Sequence, residues 1–126
     1  MPRAKSPTLT DGELRLMRVL WDAGRASVGE VRSALPRKGR PAYNSVLTLM
    51  RILEQKGYVR HDRDGRAFVY FPIVGRARAQ RKAVQRLVSQ LFDGSPGSLA
   101  VNLLEHEQID ESELARIRSL LGDQLA

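Results

Sequence analysis

Asn44, Thr48, Arg51 and Gln55 recur at spacings of four, three and four residues, which sets their polar groups along one strip of a single helix. Each is a type that reads nucleic acid. An Asn amide matches the two hydrogen-bonding positions of an adenine edge, an Arg guanidinium pairs with guanine or phosphate, and a Thr hydroxyl serves a base or a phosphate. An ordinary solvated face would have the same composition. On the other side of this helix Val46, Leu49, Met50 and Leu53 are spaced for burial. Leu47 falls well off the core direction, where it meets either a thymine methyl or a neighbouring helix. Arg37, Lys38 and Arg40 precede the strip and Arg63 and Arg66 follow it, so cations stand ready for phosphate on both sides of a groove.

Caps and turns outline the elements that must hold these groups. Thr10-Asp11-Gly12-Glu13 fits a capping box, with Leu9 and Leu14 at the positions of a hydrophobic staple. The helix it opens carries Leu14, Met17, Leu20 and Trp21 on one side, and Trp21 at that spacing reads as a core aromatic before it reads as a ligand platform. Ser27-Val28-Gly29-Glu30 repeats the box and starts a short helix with Val28, Val31 and Leu35, closed by Pro36. A basic turn at 36–41 leads to a third helix over residues 42–56, with Gly57 as its stop. Residues 59–63 and 66–71 are β-prone and joined by Asp64-Gly65, the pattern of a type I′ hairpin. The expected fold is mainly α with a small β-hairpin: a winged helix-turn-helix over residues 1–74.

Residues 75–126 read as a helical dimerisation region, with helices over 76–92, 98–106 and 110–125 and a break at Asp93-Gly94-Ser95-Pro96-Gly97. Leu87, Leu91, Phe92, Leu99 and Leu103 lie there, followed by Leu104, Ile109, Leu114, Ile117 and Leu121. These are too many apolar groups for short helices to bury alone, so a second copy of the chain is the expected cover.

Charge separates the same two parts. Residues 1–86 hold 19 basic against 7 acidic side chains and residues 87–126 hold 2 against 7, which together give the net +7 of the chain. A polyanion is therefore expected to meet the front part alone. At 42% hydrophobic and 28% charged the chain should fold, while 6% aromatic is too little for a single-strand stacking platform. The absence of cysteine excludes disulfides and thiolate metal sites and suits a cytoplasmic protein. No apolar run reaches the length of a membrane span, so no membrane insertion is expected. Residues 1–8 lack the apolar core of a signal peptide and, with two prolines and two cations, are expected to stay mobile until they meet something negative. Enzymatic chemistry is not expected: there is no Gly-rich phosphate loop, and His61 and His106 lack a partner set for catalysis or metal, so no cofactor is implied. His61 falls in a wing strand with a surface or DNA-facing role, and His106 decorates a helix end.

The combination of motifs resembles the BlaI/MecI/CopY family of penicillinase and methicillin-resistance repressors. The resemblance rests on Leu9-Thr10-Asp11-Gly12-Glu13 leading to Leu20-Trp21, on Ala42-Tyr43-Asn44-Ser45-Val46-Leu47-Thr48 leading to Arg51-Ile52-Leu53-Glu54-Gln55-Lys56-Gly57, and on a wing ending at Tyr70. Ser98-Leu99-Ala100-Val101-Asn102-Leu103 is similar to the family's segment before its last helices. The resemblance implies a homodimer that sits on a dyad operator in double-stranded DNA and blocks transcription, often of resistance genes. It also implies cleavage by a membrane sensor-linked metalloprotease after an asparagine in the arm, usually before phenylalanine; the matching bond is Asn102–Leu103. Members that respond to copper carry a C-terminal cysteine cluster, which this chain lacks. The alternative is a winged-helix module that coats DNA or binds protein without reading sequence.

Overall fold

The computed structural model describes residues 8–125. Most of the N-terminal segment expected to be mobile lies outside them. The chain divides into two compact units, with the boundary between Val84 and Gln85.

In the first unit the two capping boxes form as written. Thr10 Oγ1 accepts from the Glu13 amide at 3.3 Å while Glu13 Oε1 accepts from the Thr10 amide at 3.0 Å, opening α1 (Asp11–Ala23). Ser27 and Glu30 make the same exchange at 3.2 and 2.9 Å to open α2 (Val28–Ala34). The hydrogen bonds from the Ser27 backbone and hydroxyl hold the Glu30 carboxyl below the usual carboxylate range. The third helix, α3 (Tyr43–Gln55), ends where Gly57 takes a φ of +84°. There the Gly57 amide donates to Glu54 O and the Tyr58 amide to Leu53 O, both at 3.0 Å. This paired ending satisfies two carbonyls that the helix leaves open, and a side chain at Gly57 would strain it.

A three-stranded antiparallel sheet completes this unit: β1 (Ala26–Ser27), β2 (Val59–Asp64) and β3 (Ala67–Pro72), in the order β1-β3-β2. Two residues are too few to carry an alternating pattern, so β1 was not foreseen; it forms because Ala26 and Ser27 lie opposite Tyr70 and Val69. The hairpin closes on the pair Asp64 and Ala67, which makes Gly65-Arg66 the two-residue loop. Gly65 has a φ of +65° and Arg66 is not in the positive region, so the turn matches type II′ and not the expected type I′. The one-residue shift places Arg66 at the tip of the wing.

Leu16, Met17 and Leu20 of α1 pack with Val31 of α2, with Val46, Met50 and Leu53 of α3, and with Tyr58, Val59 and Tyr70. Leu14, expected on the buried side, is only half-buried, and Leu16 takes that place. Val74 and Ala79 belong to the same core. Trp21 packs against it half-buried, and its Nε1 donates to Val74 O at 3.0 Å. The Arg76 guanidinium lies over the indole ring at 5.4 Å and reaches Asp22 at 3.1 Å. One polar pair sits inside: Lys56 Nζ lies 2.6 Å from Glu13 Oε1 and donates to Thr8 O at 3.1 Å, with the two side chains only 4% and 3% exposed.

The helix α4 (Arg76–Leu91) runs across the boundary between the units. In the second unit Asp93 and Gly94, both at positive φ, turn the chain out of it. Ser95 caps α5 (Pro96–His106) through the Ser98 amide, and Asp110 caps α6 (Glu111–Leu125) through the Glu113 amide. No residue of α5 or α6 is buried. No helix among the described residues is long and apolar enough to cross a membrane.

Candidate nucleic-acid interface

The burial of Val46, Met50 and Leu53 fixes the rotation of α3, and Asn44, Thr48, Arg51 and Gln55 are all exposed on its outer side. Thr48 Oγ1 donates to Asn44 O at 2.9 Å, the bond a threonine commonly makes to the preceding turn. Its proton is thereby committed, and the hydroxyl faces outward as an acceptor. Leu47 is half-buried and packs against the core, as does Leu49, so only part of Leu47 belongs to the outer surface.

The start of α3 differs from those of α1 and α2. Its N-cap is Ala42, which supplies no side-chain hydrogen bond, and Ala42, Tyr43, Asn44 and Ser45 are exposed. The first-turn amides are left for another acceptor, and a phosphate oxygen at the positive end of the helix is a fitting one. Tyr43, 51% exposed beside Asn44, was not singled out from the sequence. Its separation of four residues from Leu47 was the available signal.

The wing packs against the opposite end of α3. His61 Nδ1 lies 2.6 and 2.9 Å from the two oxygens of Glu54, and its ring meets Phe68 edge-on at 4.8 Å and Tyr70 at 5.4 Å. His61 is therefore a strut between wing and helix. Next along the same face, the Arg63 guanidinium lies over the Phe68 ring at 5.6 Å, so this cation is held in place by an aromatic surface that is itself 44% exposed. Burial raises the Tyr70 hydroxyl above the usual tyrosine range and nearby Glu54 adds to the effect, while Arg51 opposes it. Replacing Glu54 with Ala should free the strut at a cost of about 0.5–1 kcal/mol, since the pair is partly exposed. Amide exchange should speed up in β2 while α1 and α2 stay protected, which hydrogen-exchange NMR would read.

Of the cations expected at phosphate, Arg37, Lys38, Arg63 and Arg66 are exposed. Arg40 departs from that expectation. Its Nε and Nη2 donate to Leu35 O at 3.2 and 2.6 Å, and Nη2 also donates to Ser33 O at 3.1 Å, so its donors close the end of α2. Arg32 Nε donates to Pro41 O at 2.9 Å, and the two arginines together pin the turn that delivers α3.

In the second unit Leu91, Leu103, Leu104 and Leu121 are exposed, as is Leu87 at 38%, while Phe92, Leu99, Ile109, Leu114 and Ile117 are half-buried. Asn102 and Leu103 are exposed within α5, where Asn102 O pairs with His106 Nδ1 at 3.0 Å. Among the described residues no group of three His, Asp or Glu side chains could hold a metal ion.

A recognition helix with a bare polar strip, a pinned basic turn before it and a hairpin tipped with arginine define a winged helix-turn-helix DNA-binding protein. The family model described as penicillinase repressor matches residues 9–123, and the chain belongs to that family of DNA-binding transcriptional repressors, which are not enzymes. The penicillinase repressor of Bacillus licheniformis is 26% identical over 94% of this chain and 93% of its own length. The methicillin resistance regulatory protein MecI of Mammaliicoccus sciuri is 21% identical over 94% of this chain and 96% of its own. Among solved structures, the DNA-binding domain of the repressor BlaI superposes with a TM-score of 0.52 at 29% identity, covering 60% of this chain and 93% of that domain.

Proposed function

We propose that this repressor acts as a homodimer on an inverted-repeat operator, each head laying α3 in the major groove. The observation that carries the reading is the exposed strip of Asn44, Thr48 and Arg51 between exposed cations on the turn and on the wing. Asn44 and Arg51 address base edges, Thr48 accepts from a base amino group, and the outer part of Leu47 meets a thymine methyl. Arg37, Lys38, Arg63 and Arg66 hold phosphate. The heads are joined through α5 and α6, whose leucines and isoleucine are exposed or only half-buried within one chain. A dyad dimer sets the half-sites about 34–36 Å apart or at a multiple of that distance. A footprint on the DNA upstream of the gene itself, absent from scrambled DNA, is the expected result; equal protection of both would make the chain a coating protein.

The two kinds of contact should fail differently. Asn44→Ala should cost about 1–3 kcal/mol on the cognate site and relax preference at one base pair. Arg66→Ala should weaken every duplex alike and reduce the salt slope by about one unit. Binding titrations on cognate and random duplexes at several salt concentrations check both, and equal losses on the two duplexes for Asn44→Ala would remove it from the reading set.

The names of the relatives suggest control of β-lactam resistance genes, and the family resemblance suggests release through cutting of Asn102–Leu103 by a sensor-linked metalloprotease. That bond lies inside α5, so the protease must first unwind a helical turn, which is low in cost where no side chain is buried. Mass spectrometry of the repressor after antibiotic exposure in the native host tests this: a fragment ending at Asn102 is expected, and derepression with the chain intact rules it out.

A further inference from the structure

Between α1, the turn that follows α2 and the recognition helix α3 lies a cleft of about 340 Å³. Leu16, Leu35, Pro36 and Leu49 supply its apolar lining, and beside Arg40, whose donors are committed to backbone carbonyls, its cations are Arg15 and Lys38. Neither cation has a hydrogen-bond or ion-pair partner among the described residues. Two arginines pin the turn that forms one wall: Arg40 donates to Leu35 O, and Arg32 donates to Pro41 O. Leu49 closes the cleft from the recognition helix itself, standing 3.6 Å from where a Cβ on Gly12 would lie.

We infer that this cleft is a binding site for a small amphipathic anion, a carboxylate on an aromatic or branched apolar body of about a dozen non-hydrogen atoms. The two free cations select negative charge. The leucines and prolines select an apolar body, which a bare phosphate lacks, so the lining favours an organic acid over a phosphate of the DNA backbone. Carboxylate and guanidinium or ammonium make charge-assisted hydrogen bonds at the rim while the body displaces water from the leucines. Its consequence for repression rests on the assignment of Lys38 to phosphate above: an occupant that engages Lys38 withdraws it from DNA, and by linkage DNA expels the occupant to the same degree.

The intact chain, labelled for methyl and amide NMR, would be titrated with phenylacetate, with its uncharged analogue phenylacetamide and with inorganic phosphate. Saturable shifts at Gly12, Leu35, Gly39 and Leu49 are expected with phenylacetate, with binding of phenylacetamide about tenfold weaker. Arg15→Gln and Lys38→Gln should each weaken phenylacetate about tenfold, and Arg18→Gln, on the same helix but outside the cleft, should not. Absence of saturation, equal binding of phenylacetamide or phosphate, or an equal loss in Arg18→Gln would overturn the site. Affinity for random duplex should fall in saturating phenylacetate, and the fall should vanish in Lys38→Gln; saturable binding with unchanged DNA affinity would overturn the competition while leaving the test of sequence reading untouched.

Discussion

A chain ending at Val84 should remain folded, sediment as a monomer and bind the operator about 10²–10⁴-fold less tightly than the full chain. The loss has nothing to do with direct contact, since the reading strip, basic turn and wing all lie before that point. In the proposed dimer the second head would meet its half-site at high effective concentration, and a monomer would forfeit that advantage. Where the fragment ends matters. A cut directly after Pro72 would remove Val74 and Ala79 from the core and Val74 O from Trp21 Nε1, and would destabilise the head. Sedimentation velocity with operator titrations decides the matter: a dimeric fragment, or one that binds as tightly as the full chain, would place the interface outside the arm.

The second large effect is on stability and centres on Lys56. Lys56→Met should lower the unfolding free energy of the head by about 3–5 kcal/mol, because it leaves the Glu13 carboxylate buried without its counter-ion. Glu13 also accepts from the Thr10 amide, so the orphaned charge sits at the first turn of α1. The pair Glu13→Leu with Lys56→Met should recover much of that loss, since two apolar side chains of similar volume need no partner. Urea denaturation of the four members of the cycle gives the coupling energy, and a Lys56→Met loss below about 1 kcal/mol would mean that water reaches the carboxylate.

This ion pair also shows where reading a sequence runs out. Glu13 is recognisable as a capping residue because its partner lies three positions away, whereas its bond to Lys56 spans 43 positions and has no local trace. The three head helices and the hairpin were legible for the same reason: caps, turn residues and apolar spacing are local signals. The strand β1 was not, because its existence depends on the distant edge of β3. Within the interface, the exposure of Asn44, Thr48 and Arg51 follows from the helical period once the core side is known. Arg40 could not be told from Arg37 or Lys38 by type, and only the path of the chain brings it onto the Leu35 carbonyl. The wing followed this pattern too. Its cations were evident, while the Glu54–His61 strut required the fold to bring helix and strand together.

The bare start of α3 has an evolutionary consequence. A serine or aspartate in place of Ala42 would stabilise the helix by about 1 kcal/mol, a gain that α1 and α2 already take from Thr10 and Ser27. If a DNA phosphate caps α3, the same side chain would occupy the amides that the phosphate would use, and an aspartate would repel it. On that reading, screening variants of this repressor for heat resistance alone should enrich changes at Ala42 that weaken its hold on DNA.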